Sequence, residues 1–230
     1  MTSKIDICNR ALSMIGTRST IASLTEISNE ANLCNIHYDN TRASVLRLHN
    51  WSFARRRVAL PLLAAANGTP ENPSGTSPLP ETPWSYKYAH PVDCLRVRSI
   101  YQPSTGGTPI EFLISSDVDT AGNQIKVIFC NQQAAELIYT TDISGPDLWD
   151  QNFTDALVAS LASDLAIPLT GDKTVAQYCV AQANSAILLA RVTDSTESPA
   201  NTEHVPDWVA VRGFSTSTSA DLGLINSVLS

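Results

Sequence analysis

The sequence lacks any uninterrupted apolar run of about 20 residues, the length a membrane-spanning helix requires. Its opening, MTSKIDICNR, has no apolar core behind a positive start, so no secretory signal is read there and the chain is expected to stay in the cytoplasm where it is made. Cysteine is present but never in C-x-x-C spacing. Cys8, Cys34, Cys94, Cys130 and Cys179 are odd in number and widely separated, which points to reduced thiols rather than a disulfide framework or a zinc site. The nucleophile elbow G-x-S-x-G, the Walker A loop, the G-x-G-x-x-G turn and the H-E-x-x-H helix are all missing. Histidine is scarce, and His37, His49, His90 and His204 occupy unrelated contexts; His37 reads as a structural residue beside an apolar helix face and His90-Pro91 as a loop. What is there is ordinary for a folded chain: 43% hydrophobic and 16% charged residues over 230 positions exclude wholesale disorder and allow one large domain or two small ones.

Charge is unevenly placed along a chain of net −7. Residues 1–60 hold eight Lys/Arg against four Asp/Glu, residues 61–145 four against eight, residues 146–198 two against seven, and residues 199–230 one against three. A basic face on one copy can meet an acidic face on the next, or the segments neutralise each other within one chain; both readings stand. Arg55-Arg56-Arg57 could meet phosphates. The run is isolated in an acidic chain with no DNA-binding motif, and such a protein is better suited to letting DNA slide past than to holding it.

The stretch 28–60 organises the rest. Ala31, Cys34, Tyr38, Thr41, Val45 and Leu48 recur at steps of three and four, predicting one long helix with Ser28 as N-cap and Glu30 in its first turn. Past His49 the period changes: Trp51 and Phe53 share one side of an extended segment that Arg55 and Arg57 continue. Upstream, Ile5, Cys8, Leu12 and Ile15 predict a first helix. Thr2 or Ser3 caps it, Asp6 supplies a weak capping box, and Gly16 ends it. These two helices are expected to form an antiparallel hairpin with Ile21 and Leu24 tucked beneath.

Residues 64–83, rich in Pro, Gly, Ser and Thr, read as a surface loop. Alternation in Trp84-Tyr86-Tyr88, Leu95-Val97-Ser99, Ile110-Phe112-Ile114, Ile125-Val127-Phe129 behind Gly122-Asn123, and Leu137-Tyr139 predicts small antiparallel strands, open or closed into a barrel or sandwich. Pro146 behind Ser144 starts a third helix, with Trp149, Phe153, Ala156, Leu157, Ser160, Leu161 and Asp164 on one face and Ile167-Pro168 as its stop. Thr170, followed by Asp172, is placed to cap a fourth helix with the stripe Val175, Cys179, Gln182, Ala186 and Leu189. The predicted class is α+β: a four-helix bundle formed by the N- and C-terminal helix pairs, an inserted small antiparallel β-domain, and an extended C-terminal tail. The boundaries are 1–54 for the first helical hairpin, 55–143 for the β-domain, 144–198 for the second hairpin and 199–230 for the tail, which composition marks as lacking fixed structure when alone.

Four stretches in order carry a resemblance. They are Ile7-Cys8-Asn9-Arg10-Ala11-Leu12 followed by Ile15-Gly16; Trp51-Ser52-Phe53-Ala54-Arg55; Tyr88-Ala89-His90-Pro91-Val92-Asp93-Cys94-Leu95-Arg96-Val97; and DLWDQNFTDALVASLASDLAIPLTGD over 147–172. The chain here resembles the head-to-tail adaptor proteins of short-tailed bacteriophages, often called tail tubular protein A, although the 64–83 loop is longer than that family usually needs. The resemblance implies a structural virion protein with no catalytic step and no cofactor. It implies a ring of about twelve copies closed by heterologous contacts. The ring sits beneath the portal protein, receives a tail tube or nozzle protein below, and leaves a channel through which genomic DNA passes without sequence-specific binding. The expected place is the head-to-tail junction of the virion, and the host cytoplasm during assembly, with no membrane contact. Another phage head-completion or tail-connector protein of similar build is the nearest alternative.

Family members use a C-terminal extension to grip the portal, and the stretch from Pro199 matches that role in position and character. Trp208, Val211, Arg212 and Phe214 are its candidate anchors, because aromatics and Arg dominate interface energy. Arg55, Arg56, Arg57, Arg96 and Arg98 are the candidates for contacts between copies. The rival from another class rests on carboxylates. Asp117 and Asp119 flank a turn near Glu111, and an acid of raised pKa beside an ionised partner is glycosidase chemistry, which would make the chain a virion-associated peptidoglycan hydrolase. Acidic residues at a turn are far more often simply solvated.

Overall fold

The computed structural model describes residues 3–69, 71–72, 79–101, 110–118 and 122–197. Helix α1 (Lys4–Ile15) starts at a reciprocal cap: Ser3 Oγ accepts the Asp6 N–H at 3.1 Å, and the Ser3 N–H donates to the Asp6 carboxylate at 2.9 Å. Gly16 closes it at φ +88°, a conformation that a side chain would strain. Helix α2 (Asn29–Leu48) starts at Ser28, whose hydroxyl accepts the Ala31 N–H at 3.2 Å. Its buried stripe runs through Ala31, Cys34, Tyr38, Thr41 and Val45 as the spacing requires. Leu48 does not end the stripe; it is half exposed, and Arg42 and Leu46 are buried instead. A strict alternation of three and four drifts by about 20° per heptad against a straight helix, so its last member leaves the core side.

Seven strands follow. Strands β1 (Arg55–Ala59) and β4 (Cys94–Tyr101) flank β7 (Glu136–Thr141) in one antiparallel sheet. Strands β2 (Leu62–Ala65), β3 (Tyr86–Ala89), β6 (Gln124–Cys130) and β5 (Phe112–Val118) lie in that order in the other, also antiparallel. The two sheets share a core that includes Leu60, Tyr86, Tyr88, Ile128, Leu137 and Tyr139. Inside it the Tyr88 hydroxyl donates to the Gln132 carbonyl at 2.7 Å. The expected 64–83 loop begins two residues too early: Ala64 and Ala65 are buried in β2 and pair with Lys87 and Tyr86. Four residues with no alternation are too short a strand to show a period.

A single 3₁₀ turn, Pro146–Leu148, precedes α3 (Gln151–Thr170). The third helix therefore starts later than Pro146 suggests and runs through Pro168 to a left-handed cap at Gly171, φ +66°. Pro168 sits in the last turn, where one lost backbone hydrogen bond does not end the helix. Helix α4 (Lys173–Glu197) is capped by Asp172 rather than Thr170: the Asp172 carboxylate accepts the Thr174 N–H at 2.7 Å. Helix α3 packs on both α1 and α2, and eleven of its twenty residues are buried. By length and composition it is the one described helix that could cross a membrane, although its apolar residues are interrupted; just over half of the relevant window, 56%, is buried in the core. All four helices contribute to that core together with Trp51, Phe53 and Ala54. The described residues thus have an α+β architecture, with four α-helices and two antiparallel sheets, and those up to Ser195 form one compact unit.

Candidate functional site

The junction between α2 and β1 is built by three aromatic rings and one buried acid. Trp51 is fully buried, donates its indole N–H to the Val45 carbonyl at 3.1 Å, and meets Phe153 edge to face at 5.1 Å. Trp149 meets the same ring at 5.2 Å. Asp194, on α4 and only 5% exposed, accepts the Ser52 N–H at 2.9 Å, the Ser52 hydroxyl at 2.7 Å and a hydrogen bond from His49 Nε2 at 2.9 Å. The carboxylate stands between Ser52 and His49, so the three groups form a clamp rather than a relay in which a histidine would activate the serine. Asp194 was not picked out by the sequence. It continues the buried series Ala176, Cys179, Ala183 and Ala190, and a carboxylate on that face requires donors from elsewhere in the fold.

The five arginines are placed around this junction with different duties. Arg98 donates to the Thr140 hydroxyl at 2.8 Å and to the carbonyls of Arg47 and His49, while Arg96 donates to the Arg47 carbonyl at 2.9 Å. Together they satisfy the open C-terminal carbonyls of α2 from β4, and Arg47 returns a bond to the Leu95 carbonyl at 2.7 Å. On β1, Arg56 pairs with Asp93 at 2.7 Å; Arg57 pairs with Glu136 and lies over the Tyr101 ring at 3.5 Å. Arg55 is exposed and its guanidinium has no partner among the described residues. Burial pushes the Asp93 carboxyl up, but hydrogen bonds from Thr141 and Tyr139 and the charge of Arg56 outweigh it and hold the group below its ordinary value.

Helix α4 has a second face. The predicted stripe is met at Cys179, which is buried, and at Val175 and Ala186, which are partly buried against the core; Gln182 and Leu189 are exposed, and Ala176, Ala183 and Ala190 face the core instead. Opposite them Tyr178, Ala181, Ser185, Leu188 and Val192 recur at steps of three and four. Leu188, Leu189, Val192 and Tyr178 are 60%, 62%, 62% and 58% exposed, and Val180 lines a groove of about 470 Å³ with Ile167 and Ala181. Covering these half-exposed side chains would stabilise a contact by roughly 1 kcal/mol each. Exposed apolar side chains at this spacing on one face of a long helix make it a candidate interaction surface.

Of the three carboxylates, Asp117 and Glu111 lie among the described residues, and neither is placed as a glycosidase acid. Asp117 accepts from the buried Lys87 ammonium, and that bond is the first cause of its carboxyl lying below the ordinary range. A glycosidase acid requires the opposite shift. Glu111 is exposed, Asp119 lies outside the described residues, and the cavities of about 580 and 410 Å³ beside Pro91-Val92 are lined by neither Glu111 nor Asp117. No group of three or more His, Cys, Asp or Glu able to hold a metal occurs among the described residues. The candidate anchors Trp208, Val211, Arg212 and Phe214, and the whole 199–230 reading, lie outside the described residues. No protein-family model matches this sequence, and no curated protein matches it significantly.

Proposed function

We propose that this chain is a structural virion protein, the head-to-tail adaptor of a short-tailed bacteriophage. It joins the portal to the tail as a ring of copies and leaves a channel for the genome. The observation that carries this reading is the outward face of α4, where Tyr178, Leu188, Leu189 and Val192 stand exposed on a 25-residue helix whose other face is already packed. A protein that works alone has no use for such a row; one that assembles side by side does. The four ordered stretches of resemblance give the assembly its kind. In this reading α1 and α2 combine with α3 and α4 as a four-helix bundle, the two sheets are the inserted β-domain, and the residues after Ser198 are an extended tail that grips the portal through Trp208, Val211, Arg212 and Phe214. Neighbouring copies, the portal, and a tail tube or nozzle protein are the partners, and the virion is the location. The hydrolase reading gains nothing from Asp117, whose pairing with Lys87 suits a structural ion pair.

The test is to mix the purified protein with the portal ring of the same virion and image the particles by negative stain, beside a chain ending at Ser198. Added density under the portal, lost with the shortened chain, is the expected result and assigns the grip to the tail. Bare portals with the full chain overturn the adaptor reading.

A further inference from the structure

We propose that copies of this chain join through the two open sheet edges, with β1 of one copy adding in parallel to β5 of the next. The result is a seven-stranded sheet continuous across the contact. This deepens the ring reading above and rests on it.

Four strands lie at sheet edges: β1 and β4 in one sheet, β2 and β5 in the other. The β4 edge is occupied by the end of α2, through Arg47 on the Leu95 carbonyl and Arg96 on the Arg47 carbonyl. Strand β2 has four residues and a register break between Leu62 and Ala64. That leaves β1, exposed along its whole length, and the seven-residue β5, on which Leu113, Ile114 and Val118 are exposed. An open edge of this length is a template for another strand.

The hydrogen-bond phase shows which backbone groups wait there. The Thr141 N–H donates to the Ala54 carbonyl and the Leu60 N–H to the Ala135 carbonyl, both at 2.9 Å. Even-numbered residues of β1 therefore bond to β7, and Arg57 and Ala59 turn their backbone groups outward. In the other sheet the His90 N–H donates to the Lys126 carbonyl at 3.2 Å, which sets Lys126, Ile128 and Cys130 toward β3. Ile125, Val127 and Phe129 then bond to Asp117, Ser115 and Leu113, and Ile114 and Ser116 face outward from β5. Each edge thus offers the same spacing of free donors and acceptors.

Charge selects the occupant and the direction. Arg55 heads β1 and Glu111 immediately precedes β5; both are exposed, and neither has an ion-pair partner among the described residues. A parallel alignment sets Arg55 beside Glu111. An antiparallel one sets Arg55 opposite Ser116, where the adjacent carboxylate, Asp117, is already occupied by the Lys87 ammonium. One arginine unpaired among the described residues at one sheet edge and one such carboxylate at the other make a heterologous contact, which repeats from copy to copy rather than ending at a pair.

The test uses full-length variants mixed in pairs with the portal ring under oxidised glutathione. Residues facing each other across a strand pair are within disulfide reach. Ala59→Cys mixed with Ser115→Cys, which face each other in the parallel alignment, is expected to give a cross-linked dimer, and Arg55→Cys mixed with Ser116→Cys, which reports the antiparallel alignment, is expected to give none; the unsubstituted chain, with its five native cysteines, is the background. Arg55→Glu should weaken assembly roughly three- to tenfold, and adding Glu111→Arg should restore it. Cross-linking only in the antiparallel pair, or in neither while the unsubstituted chain still forms its layer on the portal, overturns the edge contact and leaves the ring standing. A failure of Glu111→Arg to restore assembly also counts against the edge contact. An unsubstituted chain that forms no layer overturns the ring and the edge contact together.

Discussion

Asp194 and Ser52 lie 142 residues apart in the chain and share two hydrogen bonds, from the Ser52 backbone N–H at 2.9 Å and from its hydroxyl at 2.7 Å. With His49 on the other carboxylate oxygen, the end of α4 fixes the point where α2 becomes β1. Asp194→Ala strands three polar groups in a largely buried place and is expected to cost about 3 kcal/mol, with Asp194→Asn costing roughly half as much. Urea unfolding followed by tryptophan fluorescence checks this, since Trp51 stands beside the clamp, and a shift in midpoint at constant slope is the predicted form.

Arg98→Ala should destabilise the chain by about 2 kcal/mol, because it removes the bonds that hold the last carbonyls of α2 to β4. Arg98→Lys should recover only part of this, as a single ammonium cannot reproduce the guanidinium fork. Arg55→Ala should leave monomer stability within about 0.5 kcal/mol of the parent chain. Thermal melts of the three variants separate an arginine that builds the fold from one free to meet a neighbour.

Asp93 and Asp150 should respond to acid with opposite signs. The Asp93 carboxyl lies below its ordinary value, so its contribution to stability is full above the unfolded value of about 4 and is lost as pH falls through the lower folded value. Asp93→Asn is therefore destabilising at neutral pH and neutral in strong acid. Burial, and secondarily the charge of Asp194, push the Asp150 carboxyl up, so its ionised form disfavours the fold at neutral pH and the penalty disappears on acidification. Asp150→Asn should stabilise the chain at neutral pH by at most about 1 kcal/mol, given its partial exposure. Melting temperatures across an acid-to-neutral series check both slopes.

Much of the fold was legible because its signals are local. Ser3 with Asp6, Gly16, Ser28, and the alternation from Tyr86 to Tyr139 each depend on neighbours a few residues away. The misreadings have a common cause, which is tertiary context. The stripe Val175, Cys179, Gln182, Ala186 and Leu189 holds at Cys179, with Val175 and Ala186 partly buried against the core, but close packing selects Ala176, Ala183 and Ala190 and leaves Gln182 and Leu189 outside. Ala64 and Ala65 became a strand because β3 was there to pair with them. The clamp at Asp194 was invisible for the same reason: its donors lie on another element, and no spacing within α4 announces them.

The outer face of α4 gives the sharpest separation of folding from assembly. Leu188→Gln with Val192→Gln keeps helix propensity and alters only exposed side chains, so the melting curve should be unchanged while assembly is lost. Negative-stain averages of the portal ring mixed with this variant, set beside the unsubstituted chain, test the central claim most directly. A closed layer beneath the portal with the unsubstituted chain, and its loss with the folded variant, is the predicted result. A variant that forms the same layer, or an unsubstituted chain that leaves the portal bare, would contradict the account.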